Sequence, residues 1–153
     1  MRINRLIILL ALFASGCGKS KFTTAPQLQY KSVNTNVLDH NQIIEFTLRL
    51  TDKEGDVSAA WIYIKKTVPT CPGSEFLDSM SIPAFPAGSN VDANLTIDYA
   101  NGVNVIDGNG NVIRNILTPQ CNMNDTCKFQ FVLRDNAGHL SDTATVDNIV
   151  IVN

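Results

Sequence analysis

From Gln27 onward, apolar and polar residues alternate with period two, the signature of half-buried strands. Leu28, Tyr30 and Ser32 share one side of the first run. Ile44, Phe46, Leu48 and Leu50 alternate with Glu45, Thr47 and Arg49 in the second. Trp61, Tyr63 and Lys65 alternate with Ile62, Ile64 and Lys66; Leu95, Ile97 and Tyr99 with Thr96 and Asp98; Phe129, Phe131 and Leu133 with Gln130, Val132 and Arg134. A β-branched tail, Thr145–Val152, closes the chain. The turn chemistries between these runs are Asp52-Lys53-Glu54-Gly55-Asp56, the segment 83–89, Asp107-Gly108-Asn109-Gly110 and Asp135-Asn136-Ala137-Gly138. Past the N-terminal segment no window holds a 3.6-residue period. The pattern predicts strands at 27–34, 42–50, 58–67, near 77–82, 93–99, 127–134 and 143–152, with a small extra hairpin about 107–110.

Seven or so short strands imply an all-β antiparallel sandwich. Trp61 on the third strand fits an immunoglobulin-like layout in which that position packs the core. The chain of 153 residues suffices for one domain, and 44% apolar with 17% charged residues excludes a disordered polymer. A formal charge of -2 gives no basic excess for a phosphate backbone, so no nucleic-acid partner is expected. Two histidines, His40 and His139, exclude a multi-His metal site. Both fall in polar turns and are expected to be exposed.

The first residues are an address. Arg2 and Arg5 precede nine uninterrupted apolar residues, Leu6–Ala14, too few for the about 20 that cross a bilayer. Ala14-Ser15-Gly16-Cys17 then resembles the lipobox of bacterial lipoproteins, with Ala14 where Leu is commoner. The resemblance implies a signal peptide at 1–16 and lipid attachment at Cys17, followed by a lipidated tether over 17–26 and the sandwich domain over 27–153. Ordinary cleavage near Gly16 is the other reading and would leave Cys17 a thiol. Two or three acyl chains anchor a domain stably. By the same resemblance Gly18, not Asp, implies the outer membrane, and the basic Lys19 and Lys21 favour a periplasm-facing domain over cell-surface display.

The turn 51–56 and the segment 133–143, with its Asp-x-x-Gly-His-x-Ser core, look like features of immunoglobulin-like and fibronectin-type modules in Bacteroidota lipoproteins. That family implies secretion, lipid anchoring and a sandwich, and no defined activity. Asp78-Ser79-Met80 and Asp142-Thr143-Ala144 resemble the O-glycosylation pattern of the same phylum.

Three cysteines remain after lipidation: Cys71, Cys121 and Cys127. In an immunoglobulin-like order the third and sixth strands are antiparallel neighbours, which gathers all three at one end. If positions 62 and 131 face each other, 71 faces about 122. Cys71–Cys121 is therefore the preferred bridge, with the local pair Cys121–Cys127 the alternative. No CxxC or neighbouring His makes a zinc signature. Asp52, Glu54, Asp56 and Asp135 lie in two turns expected to share one end of the sandwich. Such oxygen ligands suit Ca²⁺. Asp, Asn and Gly are also simply good turn formers, so no tight site and no cofactor are expected. Asp107-Gly108-Asn109-Gly110-Asn111 starts like a calcium loop but has Thr118 where the bidentate acid belongs, and reads as a turn.

No GxSxG elbow, HExxH or phosphate loop is present, and His139 beside Ser141 and Asp142 is adjacency rather than a triad. The reading is a non-catalytic, lipid-anchored envelope module that binds an envelope protein or a glycan or serves a structural role. The alternative is a small carbohydrate-handling enzyme or accessory protein that uses the acidic loop end.

Overall fold

The computed structural model describes residues 23–153. The signal segment 1–16, Cys17 and most of the tether lie outside the described residues. Eight strands form two facing sheets: β1 (Gln27–Val33), β2 (Val37–Leu38), β3 (Ile43–Asp52), β4 (Trp61–Thr67), β5 (Phe76–Ser81), β6 (Val91–Ala100), β7 (Asp125–Arg134) and β8 (Ala144–Ile151). One sheet has the order β1-β3-β6, the other β2-β8-β7-β4-β5. Seven of the eight match the strands expected from periodicity. The eighth, β2, is two residues long and pairs parallel with β8, so the fold is not wholly antiparallel. So short a run carries no periodic signal. The hairpin about 107–110 forms as a single Ile106–Val112 antiparallel bridge, with Asp107 accepting the Asn109 and Asn111 amides.

The core forms where the inward rows of the two sheets meet. Phe46 of β3 packs against Phe129 and Phe131 of β7, with ring centroids 4.8 and 5.2 Å apart. Tyr99 of β6 meets Phe76 of β5 at 5.7 Å. Ile44, Leu48, Ile62, Ile64, Leu133, Ile149 and Ile151 fill the remainder at full burial. Isoleucine and the aromatic side chains suit a pleated, half-buried surface, and their burial removes apolar area from water.

The β4 register reverses one expectation. Trp61 does not pack the core; it is 50% exposed. The cause is the strict alternation of strand faces. Ile62 and Ile64 lie opposite Leu133 and Phe131 and face inward, which sends Trp61, Tyr63 and Lys65 outward. The β4–β7 register also differs by two residues from the expected one, because Ile62 pairs with Leu133 rather than with position 131. A slip of two keeps every face unchanged, so the sequence argument about which end the cysteines share survives it.

The Cys71–Cys121 bridge is formed, with Cα atoms 6.0 Å apart, and Cys127 is free. The alternative Cys121–Cys127 pair is not made. Cys127 lies on the inward row of β7, 3% exposed, where its thiol meets the Ile149 carbonyl and burial pushes its pKa up to about 12.

One inward position of β4 carries a cation. Lys66 follows Ile62 and Ile64 into the core and is fully buried. Its ammonium donates to the carbonyls of Ile116 (3.3 Å) and Leu117 (2.8 Å) and faces Asp125 Oδ2 at 3.4 Å. The Phe76 ring centroid lies 5.6 Å away. This network ties the long β6–β7 connection to the second sheet.

Candidate functional site

Two features stand out: a cluster of carboxylates at one end of the sandwich and an aromatic strip on one outer face.

The acidic end arises from the same alternation that builds the core. On β3 the inward series Ile44, Phe46, Leu48, Leu50 ends in Asp52. On β7 the inward series Cys127, Phe129, Phe131, Leu133 runs on past the strand to Asp135. Two facing sheets therefore each finish their apolar row with a carboxylate. Asp52 is 0% and Asp135 4% exposed. The β3–β4 loop adds the half-buried Asp56, and one oxygen from each of the three lies within 4.8 Å of the others. The expected gathering of the two turns is thus observed for Asp52, Asp56 and Asp135. Glu54 is exposed and stands outside the group.

The loops are fixed by their own hydrogen bonds. The Gly55 amide donates to Asp52 Oδ2. Gly55 has φ +78°, and a Cβ there would sit 2.1 Å from the Gly88 carbonyl, so only glycine permits this approach of the 83–90 segment. The Asn136 amide donates to the Asp56 carbonyl, and the Ala137 amide to Asp56 Oδ2 at 3.2 Å, stitching one turn to the other. Asp135 Oδ1 accepts the His139 amide at 2.7 Å, while Oδ2 faces His139 Nδ1 at 2.9 Å. The Ser141 hydroxyl accepts the Leu133 amide. The Asp-x-x-Gly-His-x-Ser segment is therefore a self-bonded turn whose Asp points inward.

After these bonds, Asp52 Oδ1 and Asp56 Oδ1 are buried and meet no hydrogen-bond donor among the described residues. Burial, chiefly, pushes the Asp52 carboxyl above its ordinary range, with Asp56 and Asp135 adding like-charge repulsion and the Gly55 amide opposing. His139 is raised by its bond to Asp135. His40 is exposed in the β2–β3 turn.

The aromatic strip lies on β4, on the outer face of the five-stranded sheet. Trp61 and Tyr63, 50% and 40% exposed, stand on β4 opposite Arg134 and Val132 of β7. Tyr63, Val132, Arg134, Gly138 and Leu140 line a shallow depression of about 570 Å³. Leu140 and Leu77 are also exposed. The outer face of the other sheet differs: Glu45, Thr47 and Arg49 lie opposite Asp98, Thr96 and Asn94, with Arg49 forked onto Asp92 at 2.8 and 2.9 Å. The sequence reading overlooked the strip because it assigned Trp61 to the core. The signal that finds it is the neighbouring Ile62–Ile64 pair, which competes for the inward face. Of the two Asp-Ser/Thr-apolar segments, Thr143 is exposed and Ser79 half-buried.

No family model and no curated protein sequence matches the chain. Among solved structures it is similar to an alkylpurine DNA glycosylase, AlkC, of Pseudomonas fluorescens bound to DNA containing an abasic site analog (TM-score 0.48, 10% identity, 86% of this chain and 31% of that one). It is also similar to the sporulation control protein Spo0M of Bacillus subtilis (TM-score 0.42, 12% identity, 86% of this chain and 51% of that one). A third is a superoxide reductase (neelaredoxin) of Ignicoccus hospitalis (TM-score 0.38, 11% identity, 83% and 80%). The chain spans about a third of the glycosylase and about half of Spo0M.

Proposed function

We propose that the chain is a lipid-anchored outer-membrane protein whose immunoglobulin-like, fibronectin-type sandwich is a non-catalytic module that binds a partner protein. The observation that carries this reading is the asymmetry of the two outer faces. One is polar, with Arg49 paired to Asp92; the other presents Trp61, Tyr63 and Arg134, the residue types that dominate protein–protein contacts. Leu77, Leu140 and Val132 among them favour a protein over a glycan. Branched aliphatic side chains pack into an apolar partner surface, whereas a sugar ring stacks on aromatic faces. The sheet order β1-β3-β6 against β2-β8-β7-β4-β5, in which β5 extends the β4 sheet, supports the fold assignment.

The test has two arms. In the native envelope, a photo-crosslinking residue at position 63 is compared with one at position 47 on the opposite sheet. A discrete protein adduct from 63 and none from 47 is expected. Equal yields from both, or binding to glycans that Trp61→Ala abolishes, would overturn the protein-partner reading. Mass spectrometry of the N-terminal peptide reads the anchor: Cys17 should begin the chain and carry acyl groups, and a retained Met1 or an unmodified Cys17 would refute it.

A further inference from the structure

The acidic cluster is more than a pair of turns. Turn formation explains an exposed Asp, because its carboxylate then serves the local backbone and water. It accounts for Asp52 Oδ2 and Asp56 Oδ2, which accept the Gly55 and Ala137 amides, but not for the full burial of Asp52 or for the buried Oδ1 atoms of Asp52 and Asp56, which have no donor among the described residues. Leaving a buried carboxylate oxygen unpaired is costly, and three carboxylates gathered within 4.8 Å repel one another as well. The contacts of the imidazole of His139 are with Asp135 and leave both orphan oxygens as they are.

We propose that Asp52, Asp56 and Asp135 bind a Ca²⁺ ion between the two sheets. The donors are all oxygens, which selects a hard cation. Three carboxylate oxygens within 4.8 Å of one another fit around one Ca²⁺, whose ligands stand at about 2.3–2.6 Å. The ligand set is irregular: Asp52 comes from the end of one sheet, Asp135 from the end of the other and Asp56 from a loop. Ca²⁺ tolerates such geometry, and Mg²⁺ does not. The ion takes the orphan Oδ1 atoms of Asp52 and Asp56 together with an Asp135 oxygen that keeps its His139 bond, and water completes the shell. It joins β3 to the β7–β8 turn, which holds the two sheets together at this end and fixes the loop beside the aromatic strip. The proposal does not depend on the partner-binding reading.

The full chain is stripped with a chelator and titrated with CaCl₂ and, separately, MgCl₂, by calorimetry and thermal unfolding, in about 150 mM NaCl to screen surface charge. The expected result is one saturable Ca²⁺ site with a dissociation constant of about 0.1–1 mM, as in extracellular modules. Mg²⁺ should bind at least tenfold more weakly, and the melting temperature should rise with Ca²⁺ along the same saturation curve. Asp52→Asn and Asp135→Asn should each weaken binding at least tenfold, and Glu54→Gln should leave it unchanged. If either Asn variant fails to fold, Asp56→Asn, in the half-buried loop position, decides instead. No saturable heat up to 10 mM Ca²⁺, a thermal shift matched by NaCl at equal ionic strength, or full affinity in the Asp variants would overturn the site.

Discussion

Replacing Lys66 with Met tests whether the buried cation organises the β6–β7 connection. The substitution keeps the length of the stem and removes the ammonium. It leaves the Ile116 and Leu117 carbonyls without their donor and Asp125, 0% exposed, as an uncompensated buried carboxylate. Among the described residues Asp125 Oδ1 already lacks a hydrogen-bond partner, so it does not compensate the loss. Breaking one half of a buried pair costs about 3–5 kcal/mol, a large share of a domain stability of about 5–15 kcal/mol. At about 2–8 °C per kcal/mol, the melting temperature should fall by about 6 °C or more. The double variant Lys66→Met/Asp125→Leu removes both charges and should recover most of that loss, because apolar replacement of a whole buried pair is often neutral. Urea unfolding followed by circular dichroism measures all four corners of the cycle. A Lys66→Met loss below about 1 kcal/mol, or a double variant as unstable as the sum of its singles, would refute the reasoning. Burial holds the Lys66 pKa below its ordinary value despite Asp125, so its penalty is relieved as pH rises through that lowered pKa. The parent's stability should therefore gain relative to Lys66→Met on the alkaline side, below the ordinary lysine range.

Cys71→Ala/Cys121→Ala opens a bridge spanning 50 residues and should cost about 4 kcal/mol in the chain-entropy model, read by urea unfolding; a loss under 1 kcal/mol would contradict it. Cys127 should stay unreactive to a thiol reagent until the chain unfolds, and rapid labelling of the native protein would show that its burial is misread. Asp78 is held below its usual range because hydrogen bonds from Tyr99 and Arg114 outweigh burial, so its stabilisation is present above about pH 4 and lost as pH falls through the lowered pKa. Asp78→Asn should flatten the acid limb of the stability–pH curve relative to the parent, and an unchanged limb counts against the network. Phe131→Ala should cost about 3–5 kcal/mol and Trp61→Ala less than about 1, by the same unfolding assay; comparable losses would return Trp61 to the core.

Most of the fold was legible because period two is a physical constraint, not a statistical one. Ile44 through Leu50 can bury only one face, and the facing sheet needs the same discipline from Phe129, Phe131 and Leu133. What alternation cannot supply is its own phase. On β4 both rows are partly apolar, Trp61 and Tyr63 against Ile62 and Ile64, and composition alone favours burying the larger rings. The neighbours decide: Leu133 and Phe131 lie beside the isoleucines, whereas Val132 and Arg134 lie beside the rings. The phase of one strand is thus set by the strands it pairs with, a long-range fact absent from any single window. β2 escaped for the opposite reason, since two residues hold no period at all.

The site was legible in its members and not in its depth. Asp52 and Asp135 were found as turn residues, the correct local reading, because each sits where its strand ends. Yet each also occupies the next inward position of its own apolar row, at 52 after 44, 46, 48 and 50, and at 135 after 129, 131 and 133. Lys66 after Ile62 and Ile64, and Asp125 before Cys127, obey the same rule. All four charges are buried, at 4% exposure or less. A charged residue in phase with an inward row is driven indoors by the backbone, whatever its own preference for water. Burial then demands a counter-charge. For Lys66 and Asp125 the chain supplies it, each to the other. For Asp52 and Asp56 the described residues give the buried Oδ1 atoms no hydrogen-bond partner, and those atoms are where the proposed Ca²⁺ ion would supply the charge.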